Sequence, residues 1–136
     1  MERNVNDVTG IIVNAAYKLH SQLGPGLLES VYETILARAL ERQGLHVAQQ
    51  HVVSFEYEGI LFDQGLRVDL LVNHCDIVEL KSVEQLAPIH SKQLLTYLRL
   101  LRLPVGLLIN FGAPTMKAGL RRVVNNYQPP QESAAE

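Results

Sequence analysis

Residues 67–81 read Arg-Val-Asp-Leu-Leu-Val-Asn-His-Cys-Asp-Ile-Val-Glu-Leu-Lys, and they predict two β-strands joined by a tight turn. Apolar residues recur at every second position of both arms, the spacing that places side chains on one face of a strand. The members of this predicted core face are Val68, Leu70, Val72, Val78 and Leu80. The stretch therefore predicts a hairpin with one wholly apolar face and one face that carries its charges.

A three-residue turn at 73–75 sets the predicted register of this hairpin. The turn pairs Val72 with Asp76. In the same register, Asp69 lies opposite Glu79. Directly opposed residues have Cβ atoms about 4.5–5.5 Å apart, so two carboxylates there repel each other unless a positive charge lies between them.

Two interpretations of this acidic pair follow from the residues alone. A divalent cation between Asp69 and Glu79 is one, because hard cations bind carboxylate oxygens. Lys81 points to the same side and completes the pattern Asp-x9-Glu-x-Lys. The other interpretation is a solvated salt-bridge ladder, in which Arg67 and Lys81 neutralise the acids. Short charged patterns also match by chance, so the pattern by itself leaves both open.

Length, cysteine count and apolar runs limit the classes of protein to which this chain can belong. The chain has 136 residues, which suffices for one domain with a real core. Its single cysteine, Cys75, excludes an intrachain disulfide framework and a thiolate metal cluster. The N-terminus shows no apolar run of signal-peptide type, and no stretch approaches the roughly 20 apolar residues of a membrane span. We therefore expect a cytoplasmic protein that does not enter a membrane.

Charge is distributed unevenly along the chain. The formal net charge is −2, which argues against a protein that simply coats nucleic acid. Residues 81–122 nevertheless hold seven basic side chains beside one acid, Glu84. An asymmetry of this kind can mark a face that receives phosphates.

Hydrophobic periodicity and chain breakers divide the rest of the sequence. Spacings of three and four residues predict helices over 4–23, 28–43 and 88–101. In the second helix the predicted buried stripe is Val31, Ile35, Leu36, Ala39 and Leu40. Strand patterns cover 46–58, a return strand from residue 60 with a bulge or bend at 63–65, the central hairpin and 105–110. Residues 119–124 are compatible with a last edge strand or a short helix, and the strand is favoured. Because a helix separates the strand ending at Lys81 from the one at 105–110, these two are expected to be parallel.

Several of these features together resemble the PD-(D/E)XK nuclease superfamily. The residues that match its core motif are Asp69 and the run Glu79-Leu80-Lys81. The Gln93-x-x-x-Tyr97 helix is similar to the RecB-like branch, and residues 26–32, Gly-Leu-Leu-Glu-Ser-Val-Tyr, resemble the signature of the GxxExxY family. One departure is Val68, which stands where the superfamily has a proline before the aspartate. The resemblance covers about residues 8–124.

This resemblance implies an α/β fold, a three-layer α/β/α restriction-endonuclease-like core with a mixed central sheet. It implies one nuclease-like domain over 1–124, and the composition of 125–136 predicts a disordered tail. It also implies Mg²⁺ or Mn²⁺ at Asp69 and Glu79, with the Leu80 carbonyl and Glu29 as further ligands.

The resemblance implies specific roles for six side chains. The residues implied as catalytic are Glu29, Asp69, Glu79, Lys81, Gln93 and Tyr97. Lys81 would be the catalytic lysine, and Gln93 and Tyr97 would complete the pocket wall. For Glu29 the residues alone favour a structural role at a helix N-terminus, and the resemblance favours a functional one.

The activity implied is metal-dependent hydrolysis of phosphodiester bonds in nucleic acid, with DNA as the expected partner and a homodimer as a candidate assembly. One alternative is a non-cleaving nucleic-acid-binding or regulatory module that retains the nuclease fold, which metal binding without turnover would favour. Another is a structural or interaction protein, which self-association without metal would favour.

Overall fold

Five strands and four helices make up the computed structural model, which describes residues 4–125. The strands are β1 (Val47–Tyr57), β2 (Ile60–Val72), β3 (Asp76–Lys81), β4 (Val105–Asn110) and β5 (Leu120–Val124). They form one sheet in the order β1-β2-β3-β4-β5. Strands β3 and β4 are parallel and the other neighbours are antiparallel, so the sheet is mixed as predicted.

The helices cover both faces of this sheet. They are α1 (Val5–Leu23), α2 (Glu29–Arg42), α3 (Pro88–Leu101) and the short α4 (Met116–Gly119). Helix α1 begins where the Asn4 side chain accepts a hydrogen bond of 2.9 Å from the backbone N–H of Asp7. Helices α1 and α2 pack on one face and α3 packs on the other, so the predicted α/β/α layering is confirmed. Among the described helices, none is long and apolar enough to cross a membrane.

Proline and turn chemistry fix several element bounds. Helix α3 and strand β4 have the predicted bounds, each beginning at or just after a proline. Strand β5 confirms the predicted edge strand. The predicted irregularity at 63–65 is also present, because the β1–β2 register shifts between Val53 and Phe55, opposite these residues.

Two hydrophobic cores lie on either side of the sheet. Four of the five predicted core-face residues, Leu70, Val72, Val78 and Leu80, lie in the larger core under α1 and α2. Val68 instead packs in the second core, under α3, so its predicted place was wrong. At the same place the β1–β2 ladder is interrupted, since Gln50, which lies opposite Asp69 on the neighbouring strand, is outside the pairing and has a left-handed backbone with φ of 47°. The alternation of faces does not continue through this point.

The buried stripe of α2 differs from the predicted one. The buried residues of this helix are Tyr32, Glu33, Leu36, Ala37 and Leu40. Val31 is 39% exposed, and Ile35 and Ala39 are only half-buried. The stripe is displaced because the Tyr32 ring stacks on Phe111, with ring centroids 4.4 Å apart and planes 4° from parallel.

Asn125, the last described residue, packs against the end of α3 and the loop before β4. Its side chain is buried, and its backbone N–H donates to the carbonyl of Pro104 at 2.9 Å. Its amide also donates to the carbonyls of Leu98 and Leu103. Residues 126–136 lie outside the described part of the chain, so the disordered tail stays a prediction.

Candidate active site

The site begins with the hairpin of β2 and β3. The paired residues include Leu70 with Val78 and Val72 with Asp76, so the predicted register is confirmed. The β2–β3 ladder ends at Leu70 and Val78. The next position on each strand is an acid, Asp69 on β2 and Glu79 on β3.

Where the ladder ends, carboxylate oxygens accept the hydrogen bonds that backbone carbonyls accept within a ladder. The backbone N–H of Asp69 donates to Oε2 of Glu79 at 2.7 Å. The backbone N–H of Leu80 donates to Oδ2 of Asp69 at 2.8 Å. The structure thus brings the two predicted acids side by side.

Burial and the neighbouring charge of Asp69 work against ionisation of Glu79. Glu79 is only 9% exposed. Its burial, and then the neighbouring charge of Asp69, raise the pKa of Glu79 to about 7, against a weaker lowering by Lys81. A cation bound between the acids would relieve both unfavourable effects.

Two more predicted site residues lie within electrostatic reach of the acids. Lys81 is half-buried two residues after Glu79, and its charge lowers the pKa of that acid. Tyr97 on α3 is half-buried, and its pKa is raised first by burial and then by the charges of Glu79 and Asp69. Strand β3 and helix α3 therefore place a cation and a phenol around the acidic pair.

Glu29 and Gln93 are placed differently. Both side chains are exposed, and within residues 4–125 neither makes a side-chain hydrogen bond to another described residue. Glu29 is the first residue of α2, and Gln93 lies one turn before Tyr97 on α3. Their roles at the site stay predictions.

Glu33 is an acid that the sequence interpretation missed. It lies one turn after Glu29 on α2 and is 8% exposed. Its carboxylate accepts hydrogen bonds from the side-chain amides of Gln49 at 3.1 Å and Gln50 at 2.6 Å. Its charge also raises the pKa of Glu79. Its position four residues after Glu29, and so on the same side of the helix, could have indicated it. The predicted buried stripe instead left Glu33 out of the buried face of α2.

The potential metal ligands of this site are oxygen atoms. Within residues 4–125, no group of three or more His, Cys, Asp and Glu side chains is arranged to hold a metal. Asp69 and Glu79 supply two adjacent carboxylates, and Leu80 between Glu79 and Lys81 supplies a backbone carbonyl. Such an all-oxygen set suits a hard cation that keeps several waters, as Mg²⁺ does.

The segment after Lys81 is fixed by the neighbouring strand β4. Asn110 is the β4 partner of Lys81. Its side-chain oxygen accepts from the backbone N–H of Val83 at 3.0 Å and its amide donates to the Val83 carbonyl at 2.9 Å. Asn110 thus binds Val83 through both backbone groups and holds the start of the loop next to the lysine.

A cavity of about 420 Å³ adjoins this loop. Its lining includes Gln85, Asn110 and Arg121. One guanidinium nitrogen of Arg121 donates to the carbonyls of Ala118 at 2.9 Å and Leu120 at 3.0 Å. These contacts fix the arginine at the cavity wall while its other nitrogens keep donors for a ligand.

Comparison with known proteins gives one match. A sequence model described as the PD-(D/E)XK nuclease superfamily matches residues 6–123. No curated protein and no solved structure matches the chain.

Proposed function

Because the chain belongs to the PD-(D/E)XK nuclease superfamily, we propose that it is a metal-dependent nuclease that hydrolyses phosphodiester bonds in nucleic acid, with DNA as its substrate. We place it in the GxxExxY family of the RecB-like branch, on the residue pattern at 26–32 and the glutamine–tyrosine helix. The observation that carries the proposal is the contact between Asp69 and Glu79, with Lys81 following on the same strand.

The metal of this proposal is Mg²⁺ or Mn²⁺. Asp69, Glu79 and the Leu80 carbonyl are the proposed ligands, with Glu29 as the further acid. When bound, such an ion supplies a Lewis acid that lowers the pKa of water and balances charge on a phosphate oxygen. The raised pKa of Glu79 supports this assignment, since an acid pair in this environment is stabilised by a cation.

The remaining side chains act on the substrate and the water. Lys81 orients the attacking water or stabilises the negative charge of the pentavalent phosphate, which its position beside Glu79 supports. Gln93 and Tyr97, on α3, bind a phosphate or hold Lys81 in place. Glu33 joins this set because it is buried and linked to Asp69 through one amide.

The cavity at Arg121 supports a nucleic-acid substrate. Glu79 pairs with Leu108 across the parallel strands, and Leu108 pairs with Arg121 on β5. Laterally paired residues point to the same face of a sheet, so Arg121 lies on the face of Glu79. We assign Arg121 to a backbone phosphate that flanks the scissile one.

Cleavage assays on single- and double-stranded DNA and RNA test the function. We expect Mg²⁺- or Mn²⁺-dependent cleavage of DNA, abolished by chelation and lost in Lys81→Ala. We expect Glu33→Gln and Glu29→Gln each to lower the rate by about 10- to 100-fold.

Calorimetric titration with Mn²⁺ on the wild type and Asp69→Ala tests the metal site separately. Equal binding by the two proteins would show that the metal site is wrong. Metal binding with no cleavage of any substrate would instead favour the non-cleaving nucleic-acid-binding module. Sedimentation velocity checks the predicted homodimer and the interaction-protein alternative.

A further inference from the structure

We propose that Gln50 is a positioning residue for the metal site, because its side-chain amide links the Asp69 carboxylate to Glu33. The same nitrogen donates to Oε1 of Glu33 at 2.6 Å and to Oδ1 of Asp69 at 3.2 Å. A primary amide carries two hydrogens, so it can donate one to each acid. This inference rests on the proposed metal site.

The backbone of Gln50 is what directs the amide toward the acids. Its φ of 47° lies in the left-handed region, which is sterically unfavourable for a residue with a side chain. On either side of it, Gln49 still pairs with Leu70 and His51 still pairs with Val68. Between these two pairs only Gln50, opposite Asp69, leaves the ladder, and the register does not shift there, so this distortion is local to the residue that contacts the acid.

With this contact, both oxygens of Asp69 are held. Oδ2 accepts from the backbone N–H of Leu80, and Oδ1 accepts from Gln50. A carboxylate fixed at both oxygens is oriented before a metal arrives. Groups that orient a ligand in this way typically contribute about 10- to 100-fold to metal affinity when they are tested by mutation.

A purely structural role for the distortion makes a different prediction. β1 is an edge strand of the sheet, and irregularities at an edge discourage pairing with other chains. In that case, removing the Gln50 amide would leave metal affinity unchanged. The two roles can therefore be distinguished by a measurement of metal binding.

The test is Mn²⁺ calorimetry on the full-length wild type, Gln50→Gly and Gln49→Ala. Glycine adopts positive φ without steric cost, so Gln50→Gly removes the amide and keeps the backbone. Gln49→Ala is the matched control, since the neighbouring amide contacts Glu33 but not Asp69. We expect Gln50→Gly to weaken Mn²⁺ binding about 10-fold or more and Gln49→Ala to change it by less than about threefold.

Thermal unfolding in chelator provides the second readout. We expect Gln50→Gly to unfold at or above the wild-type temperature, because it relieves backbone strain, so weaker metal binding would not reflect loss of folding. Wild-type affinity in Gln50→Gly, or an equal loss in Gln49→Ala, would overturn the role of Gln50 while leaving the nuclease proposal intact. A wild type that binds no Mn²⁺ would overturn both the metal site and this inference, whereas a lack of cleavage alone would affect neither measurement.

Discussion

Because Glu79 is buried, the stability of the fold depends on whether this carboxyl group is protonated. Its pKa is about 7 in the folded protein, against an ordinary value of 4.5, chiefly because it is buried. Between these two values the folded state binds more protons than the unfolded state. The metal-free protein therefore loses stability as the pH rises through this window.

We predict that the free energy of unfolding of the metal-free protein falls by up to about 3 kcal/mol as the pH rises from 4.5 to 7, and then levels off. Urea unfolding in chelator at several pH values measures this change. In Glu79→Gln the group cannot ionise, so the slope over this window should flatten. A variant with the wild-type slope would assign the pH dependence to other groups.

The sequence allowed the acidic pair to be predicted, but not its support. Asp69 and Glu79 converge because a three-residue turn and a period of two fix the register of a local hairpin. Gln50 contacts Asp69 from a left-handed position in a strand, and Glu33 contacts Gln50 because a distant helix packs against the sheet. Neither feature follows from local apolar periodicity.

Among the elements, α2 is joined to the preceding loop through Tyr32. Its hydroxyl donates to the carbonyl of Gly24 at 2.5 Å and accepts from the backbone N–H of Leu27 at 3.2 Å. Gly26, with φ of 117°, allows the loop to close around this hydroxyl. The tyrosine of the GxxExxY-like pattern thus shapes the turn that starts the helix.

Tyr32→Phe should destabilise the protein by about 1–2 kcal/mol, because two backbone groups lose a partly buried partner while the ring stacking is kept. Chemical denaturation measures the change. Tyr17→Phe serves as the control, since Tyr17 is 43% exposed on α1. Equal stabilities of the two variants would argue against a structural role for the hydroxyl.

The same tyrosine explains why one element was predicted less well than others. Helix α3 and strand β4 follow prolines, and such breakers act on the nearest residues. The orientation of α2 about its own axis depends on Phe111, far along the chain. Apolar spacing alone favoured Val31 and Ile35 for the buried face, and the aromatic stack favoured Tyr32 instead.

Over the whole molecule, the two arginines of β5 point to opposite faces. Arg121 pairs with Leu108 of the α3-side core, whereas Arg122 pairs with Leu107 of the larger core and donates to Asn6 on α1. Only Arg121 shares a face with Glu79 and lines the cavity. The charge asymmetry seen in the sequence thus includes basic residues that do not all face the site.

Arg121→Ala should weaken DNA binding and reduce the steepness of its salt dependence by about one unit of the log–log slope, because one phosphate contact is lost. Arg122→Ala changes the net charge equally but on the other face, and it should leave the slope nearly unchanged. Binding titrations over a range of salt concentrations, made under conditions that prevent cleavage, compare the two. Equal slopes in both variants would show that Arg121 does not contact a DNA phosphate.

The two hydrogen bonds between Asn110 and Val83 separate the position of Lys81 from changes in the loop that follows. Gly112 lies close to this contact, and an added Cβ there would come 2.4 Å from the Val83 carbonyl oxygen. Position 112 therefore has no room for a side chain. The end of β3, which carries Lys81, is thus fixed before the chain continues into residues 84–87. Insertions or exchanges in residues 84–87 should therefore leave the position of Lys81 unchanged.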